Sequence, residues 1–414
     1  MQTPRLSRIT DAGLAISCAL VVCAACSAAN ASDLEKQVPD KQYEGEALAV
    51  WERRAADVDP KSAYAAELVP ALTEIIKDDL VPGTTRGRLA ITLGRIGKPA
   101  APAVPILAEV LGDPSEPISN RVWAGRALGL LGEHASPAAG VLIDFLFDEQ
   151  IPAALRQVPV EALAMIGSRH PDVLPALIEL FQYASASDSG LKTGEVTAMR
   201  ELAAEAFALL KTDADVAVPL LSRAIRNPAE AECIRRKSLI ALGQIGANAA
   251  VAVPAILESL EFDPSDAARD EAARALARIG DDAHVMMKRY LAHPEANVRW
   301  RIAAAVGEIE FPSSDMLAAL RRAASDDSEV VRLAAVESLG HLKDDRDVFI
   351  PATIQLLTSK DRQIRMPAMR LILSRQPLDA KEITMIEELV NHEDRDTSRI
   401  ARLVLRKLTA DTTE

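Results

Sequence analysis

Apolar residues recur along this chain with the spacing of an α-helix, most clearly in the stretch 326–342 (DDSEVVRLAAVESLGHL). An acidic turn precedes Arg332, and Val336, Leu339 and Leu342 follow that arginine at four, seven and ten residues. These intervals place the three apolar side chains on one helix face, because an α-helix repeats about every 3.6 residues. Gly340, eight residues after the arginine, leaves room for a close neighbour. The stretch therefore predicts an amphipathic helix packed closely on another.

The same pattern recurs through most of the chain. An equivalent arginine is found ten times, and successive arginines are 30 to 35 residues apart except for one interval of 44. We call these residues the arginine ladder: Arg86, Arg121, Arg156, Arg200, Arg235, Arg269, Arg299, Arg332, Arg365 and Arg399. A repeat of this length is typical of a solenoid, in which each repeat packs only on its neighbours. We predict an all-α solenoid of about ten helix pairs over residues 61–408.

Two further motifs define the helix pair. Val-Pro or Leu-Pro sequences, as in 104–107 (VPIL) and 253–256 (VPAI), indicate where a first helix begins, since proline is tolerated in a first helical turn. Turns such as Asp113-Pro114 and Asp263-Pro264 then separate it from a second helix, which opens with the ladder arginine. A positive charge at that end opposes the helix dipole. We therefore expect the ladder to be structural and to pair with acidic turn residues; a ligand-binding row is the alternative.

The motifs V-P-x-L, D-P and R-x-x-[AS]-x-x-x-L-G-x-[IL]-G, the last as in 235–246, resemble those of HEAT repeats, in particular the HEAT-like repeats first described in phycobilisome lyases. The resemblance covers roughly residues 60 to 408. It implies an α-solenoid whose first helices form a convex side and whose second helices line a concave binding side.

By that implied geometry, the positions two, five and nine residues after each ladder arginine face the concave side. We call these positions the second-helix face. Its candidate partner-binding residues are Arg88, Arg95, Trp123, Arg126, Lys237, Gln244, Arg274, Arg278, Arg301, His341 and Arg370. Its acidic residues are Glu161, Glu205, Glu271, Glu308 and Glu337. Basic residues outnumber them, so we expect the face to bind an acidic segment of a protein partner; the alternative is that both charges pair across adjacent helices.

The first 31 residues read as a secretory signal of a bacterial exported protein. Arg5 and Arg8 precede the uncharged apolar stretch 12–25, and Ala29-Asn30-Ala31 offers small residues for cleavage. Lipid attachment at Cys26 and an uncleaved anchor are the alternatives. We therefore predict a periplasmic or secreted protein, or a membrane-anchored lipoprotein. No stretch outside this segment is long and apolar enough to suggest a transmembrane helix in the mature chain.

The ends and one insertion break the regular array. Residues 32–42 read as a polar tether, 43–60 as a capping segment whose helix runs from Glu44 to Asp57 with Trp51 on its apolar side, and 409–414 as a tail. The surplus of the 44-residue interval falls in 183–195 (YASASDSGLKTGE), a small and polar loop that reads equally as a binding edge or as tolerated drift. In the last repeat Arg402 and Arg406 replace mostly apolar positions, as a terminal cap requires.

Composition narrows the function. The chain is 49% hydrophobic but 3% aromatic, which suits closely packed helices of small aliphatic residues, and its net charge of −13 disfavours nucleic acid as a partner. Three of the four cysteines lie in the signal segment, which leaves Cys233 with no intramolecular partner.

No catalytic motif is found. The six histidines have no metal-ligand spacing, and no nucleophile elbow, P-loop or dinucleotide motif occurs, so we predict no catalytic residue, metal or cofactor. The expected function is a non-catalytic protein-interaction scaffold of the cell envelope. The alternatives are an enzyme of the bilin lyase-like or DNA glycosylase-like class, which the resemblance brings in, and an accessory subunit of an envelope enzyme.

Overall fold

A computed structural model describes residues 41–182, 193–342, 346–375 and 377–410, and within these ranges the chain is almost entirely helical. The predicted all-α fold is confirmed. The chain divides into two compact units, one ending at Val173 and the other beginning at Leu174. The predicted signal segment, including Cys26, lies outside the described residues.

Successive helices form pairs, each with a first helix and a second helix. In unit 1 they are α1 (Leu48–Asp57), α2 (Ala63–Lys77), α3 (Gly83–Ile96), α4 (Val104–Gly112), α5 (Ile118–Leu131), α6 (Ala139–Phe147) and α7 (Gln157–Ile166). In unit 2 they are α8 (Val173–Gln182, all but its first residue), α9 (Thr193–Leu210), α10 (Val218–Arg226), α11 (Glu232–Ile245), α12 (Val253–Phe262), α13 (Asp266–Ile279), α14 (Asp281–Tyr290), α15 (Ala296–Val306), α16 (Ser314–Ala323), α17 (Glu329–His341), α18 (Arg346–Leu356), α19 (Arg362–Leu373), α20 (Ala380–Glu388) and α21 (Arg395–Ala410).

Pairs α2/α3 to α6/α7 lie in unit 1, and pairs α8/α9 to α20/α21 in unit 2. Within each unit, second helices pack on the second helices of neighbouring pairs, more closely than first helices pack on first helices. The prolines of Val104-Pro105, Val218-Pro219 and Val253-Pro254 stand in the first turns of α4, α10 and α12, as the motif predicts. Asp113 and Asp263 follow the ends of α4 and α12, so the predicted turns are also present.

Several second helices end at glycines with positive φ. Gly97, Gly132 and Gly246 have φ of 72°, 56° and 71°, a conformation that costs little without a Cβ. They are the final glycines of the L-G-x-[IL]-G part of the repeated motif. A 3-10 segment begins at or directly after each of them and leads to the next first helix.

Glycines one turn earlier allow second helices to approach each other closely. A Cβ added at Gly94 of α3 would lie 2.9 Å from the carbonyl oxygen and 3.1 Å from the Cα of Ala127 in α5. Gly243 of α11 has a similar relation to the Cα of Ala275 in α13, at 3.0 Å. The layer of second helices is therefore held at a backbone distance that larger residues exclude.

The N-terminal cap differs from the prediction. Gln42–Tyr43 pairs with Glu46–Ala47 in a two-residue hairpin, so the helix begins at Leu48 and not at Glu44. The two turn residues, Glu44 and Gly45, both have positive φ, which is the geometry of the tightest hairpins. Tyr43 and Trp51 are buried, and the Trp51 indole donates a hydrogen bond of 2.8 Å to the Tyr43 carbonyl oxygen.

The predicted loop 183–195 is shorter than expected. Helix α9 begins at Thr193, so the last three residues of that range are helical, and 183–192 lie outside the described residues.

One described stretch, Glu232–Phe262, is long and apolar enough to cross a membrane by length and composition. It passes because α11, a 3-10 segment and α12 follow one another without a break, whereas the two helices have 14 and 10 residues and a span needs about 20. More than half of its apolar window is buried in the protein, which is also true of core helices in soluble proteins.

Replacing Gly94 with alanine should destabilise the protein, because the new Cβ would force α3 and α5 apart. We expect a loss of about 1–3 kcal/mol in the free energy of unfolding, measured by urea denaturation. Gly140→Ala is the matched control, since a Cβ there meets nothing within 4 Å. Equal effects of the two substitutions would contradict close packing of the second helices.

Candidate functional site

Most ladder arginines occupy the same position in their second helices. Arg86, Arg121, Arg235 and Arg299 are each the fourth residue of their helix and are almost fully buried. Their guanidinium groups bind carbonyl oxygens at or just after the end of the preceding first helix. Arg121 Nε donates to the Leu111 carbonyl oxygen of the helix end at 2.8 Å, whereas Arg235 and Arg299 donate to carbonyl oxygens of the turn that follows. Carbonyl groups at a helix C-terminus carry partial negative charge, so this position favours a cation. The arginine that opposes the dipole of its own helix thus stabilises the end of another.

The same arginines also reach forward to the turn of the next pair. Arg235 Nε lies 2.7 Å from Asp263, and Arg299 forms hydrogen bonds of 2.8 Å with both carboxylate oxygens of Asp326. The other forward ion pairs are Arg86–Glu116, Arg121–Asp148, Arg200–Glu230 and Arg365–Asp396. A buried charge needs such partners, since an unpaired one costs several kcal/mol. These six arginines therefore join one pair to the next and are not available as a ligand-binding row.

Electrostatics at Asp326 follow from this contact. Burial acts to raise the pKa of Asp326, but hydrogen bonds from Arg299 and from the Ser328 backbone outweigh it and hold the pKa below its ordinary value. The carboxylate is thus ionised and paired over the whole neutral range.

In unit 2 most charges of the second-helix face pair with each other. Arg274 lies 2.7 Å from Glu271 and 3.4 Å from Glu308 of the next second helix. Lys237 binds Glu205 in the same manner, and Arg278 lies 3.7 Å from Glu308. These residues therefore follow the alternative given from the sequence, in which basic and acidic side chains of the second-helix face pair across adjacent helices.

Arg301 is the clearest departure from the predicted surface. Its side chain is 4% exposed and binds Asp266 at 2.6 Å and Asp270 at 2.7 Å, both from α13. The prediction that Arg301 lines an open face is wrong, because α13 supplies two carboxylates at that point.

Farther along unit 2 the face holds Gln244, His341, Glu337 and Arg370. Burial raises the pKa of Glu337, and the charge of Arg370 acts in the opposite direction. His341 and Arg370 are exposed and Gln244 is half-buried.

Unit 1 presents a different second-helix face. Arg126 lies over the ring of Trp123 at 5.5 Å, and a Cβ at Gly87 would lie 2.5 Å from that ring, so Trp123 rests directly on the backbone of α3. Arg88 binds Glu52 at 2.8 Å. Among the described residues no carboxylate pairs with Arg95 or Arg126.

Two apolar residues extend this surface. Leu130 and Met165 are 51% and 56% exposed, and each stands nine residues after a ladder arginine, as Arg95 does. The sequence reasoning missed them because it counted polar and aromatic residues at these positions, although the same nine-residue offset identifies them. Trp123, Arg126, Leu130, Met165 and Arg95 form what we call the unit 1 patch.

No arrangement typical of catalysis accompanies these surfaces. In the described ranges no group of three or more His, Cys, Asp or Glu side chains could hold a metal ion. Burial raises the pKa of the Cys233 thiol, and the Glu201 charge raises it further, which favours the unreactive protonated form.

Residues 283–365 match the family model for HEAT repeats. No curated protein matches the chain. Similar solved structures are an engineered protein (19% identity, 84% of this chain and 99% of that chain, TM-score 0.33) and human deoxyhypusine hydroxylase in complex with glycerol (23%, 68% and 98%, TM-score 0.28). A third is the karyopherin Kap121p bound to the extreme C-terminus of the phosphatase Cdc14p (14%, 87% and 43%, TM-score 0.49).

The recurring helix pairs define the fold as an α-solenoid. Residues 283–365 match HEAT repeats, and the same arginine, turn and helix-pair features recur in other described pairs.

Replacing Arg235 with alanine should cost about 3–5 kcal/mol in unfolding free energy, because it leaves Asp263 buried without its partner. Arg226→Ala is the control, since the Arg226–Glu258 pair is half exposed and should contribute less than about 1 kcal/mol. Urea denaturation measures both, and a small loss in Arg235→Ala would contradict the structural role of the ladder.

Asp326→Asn should lower stability at neutral pH by about 1–3 kcal/mol. The carboxylate has a lower pKa in the folded chain, so its contribution is present above the ordinary value of 3.8 and is lost as the pH falls below it. The stability difference between wild type and variant should therefore shrink on acidification from pH 6 to about pH 3. The exposed Asp215→Asn serves as the control, and a difference that grows with acid would contradict the pairing.

Proposed function

We propose that this protein is a non-catalytic interaction scaffold that binds a partner protein through the unit 1 patch. The observation that carries the proposal is the half-buried pair of Trp123 and Arg126 beside the exposed apolar side chains of Leu130 and Met165. Aromatic residues, methionine and arginine are enriched where proteins bind each other, and a few such residues dominate the binding energy.

The chemistry of the patch favours a partner segment with both apolar and acidic side chains. Trp123, Leu130 and Met165 offer apolar contact area, and Arg95 and Arg126 lack carboxylate partners among the described residues. The paired charges of unit 2 are less suited to this role, because a partner would have to displace ion pairs that already exist. We therefore propose that the binding site lies in unit 1. The prediction from the sequence was broader, since it covered the whole second-helix face.

We further propose that the scaffold works in the cell envelope, anchored or free. The support is the order of Arg5 and Arg8, the apolar stretch 12–25 and the small residues before Ser32. Intact mass of the exported chain separates cleavage after Ala31 from lipid attachment at Cys26. Export is also compatible with the alternative that the chain is an accessory subunit of an envelope enzyme. Turnover by the purified chain in bilin-transfer or base-excision assays would favour the enzymatic alternatives.

The variant Trp123→Ala/Arg126→Glu should lose partner binding, because it removes the aromatic anchor and reverses the charge beside it. We expect a loss of about 2 kcal/mol or more, roughly thirtyfold in Kd, for the partner identified by crosslinking in the native cell and then purified. Titration calorimetry measures the affinity.

The control is Phe311→Ala/Arg322→Glu, which removes an exposed aromatic and reverses an exposed arginine in unit 2. Unchanged affinity in the Trp123 variant, or an equal loss in this control, would rule out the unit 1 patch as the binding site.

A further inference from the structure

The last helix pair presents a row of arginines on its open side. Arg395, Arg399, Arg402 and Arg406 follow one another at intervals of four, three and four residues, which places them on one face of α21. Together with Arg362 of α19 they line a cleft of about 1020 Å³. This concentration of positive charge stands out in a chain with a net charge of −13.

The ladder itself indicates what such a face binds. In six preceding pairs the ladder arginine meets a carboxylate from the turn of the following pair, as Arg365 meets Asp396 at 3.0 Å. Arg399 is the last ladder arginine, and among the described residues no carboxylate pairs with it. The open side of α21 is thus half of the contact that joins one repeat to the next, with the acidic half missing from the described chain.

The other end of the array is completed by the chain itself. Asp78 lies in the turn of the first pair and is preceded by no ladder arginine, and it accepts hydrogen bonds from Lys41 at 2.7 Å and Tyr43 at 2.6 Å. Burial acts to raise the pKa of Asp78, but these two donors hold it below its ordinary value. The N-terminal segment therefore supplies a cation to the first turn, and no described segment supplies an anion to Arg399.

The residues between the arginines favour a helix over a small anion. Leu403 is 39% exposed, and Met366 and Ile400 also line the cleft. In earlier repeats the positions of Arg402 and Arg406 are mostly apolar and buried, as Ala335 and Leu339 are. An apolar helix would bury the charge of Arg399, which has no carboxylate partner among the described residues, whereas a helix with carboxylates on one face would neutralise that charge.

We propose that the open face of α19 and α21 is a docking site for an amphipathic acidic helix of a partner protein. Carboxylates of that helix pair with Arg399 and Arg402, in the way Asp396 pairs with Arg365, and its apolar residues cover Leu403. The site is separate from the unit 1 patch and does not depend on the function proposed for that patch.

A designed peptide tests the proposal on the full chain. The probe is a labelled helical peptide of about 18 residues, close to the 16 residues of α21, with glutamates on one face and leucines beside them. The matched probe carries glutamine in place of each glutamate. Fluorescence anisotropy should show that the Glu peptide binds at least about tenfold more tightly than the Gln peptide. This difference in affinity should decrease as the salt concentration is raised from roughly 50 to 200 mM.

Two double variants with the same charge change locate the site. Arg399→Glu/Arg402→Glu should weaken binding of the Glu peptide about tenfold or more, because attraction becomes repulsion. Arg223→Glu/Arg322→Glu, which reverses two exposed arginines elsewhere in unit 2, should change it by less than about twofold. Far-ultraviolet circular dichroism checks that both variants remain folded, and Arg402→Gln alone, with a smaller loss, replaces the double variant if it does not.

Several outcomes would overturn the proposal. They are equal binding of the two peptides, an equal loss in the control variant, and no binding to the wild-type chain. If the variant Asp411→Asn/Glu414→Gln binds the peptide and the wild-type chain does not, the occupant of the site is the chain's own tail. If light scattering shows self-association that Arg399→Glu/Arg402→Glu abolishes, the occupant is a second copy.

Discussion

A buried guanidinium between two partners is the contact on which the repeat array depends. Such a ladder arginine binds backbone carbonyl oxygens at or just after the end of one first helix and a carboxylate of the following pair, as Arg299 does with His293, Pro294 and Asp326. The first contact uses backbone carbonyl groups, which at Leu111 belong to a helix end, and the second neutralises the charge. One side chain therefore joins three segments of two successive pairs.

This contact specifies alignment more than it adds stability. A buried ion pair contributes little net free energy compared with apolar residues of similar size, but a misaligned one leaves a charge unpaired at a cost of several kcal/mol. The remaining contacts between second helices come mostly from Ala, Leu, Ile and glycine, which can pack in more than one register. We infer that the arginines fix the register in which helices such as α3 and α5 meet closely at Gly94.

The features that repeat along the sequence could be predicted from it, whereas contacts that depend on how separate helices pack could not. The helix pairs, their turns and the terminal glycines repeat, so ten copies of one pattern reinforce each other. The sequence could not show that Arg121 reaches the Leu111 carbonyl, because that contact depends on how two helices pack. Arg301 was misplaced for the same reason, since Asp266 and Asp270 belong to another helix. The hairpin at 42–47 has two residues in each strand, too few for a periodic signal.

A repeating contact with an acidic half and a basic half gives the array two chemically different ends. The first turn has a carboxylate, Asp78, with no earlier ladder arginine, and the last second helix has an arginine, Arg399, that meets no carboxylate among the described residues. At the first end, Lys41 and Tyr43 complete the contact at Asp78 through a segment that is not itself a repeat. Unlike an apolar end, which a layer of polar side chains can cover, an end with exposed arginines is complete only when it meets negative charge. The arginine ladder that joins the described pairs therefore also leaves, on α21, arginines that an acidic partner would neutralise.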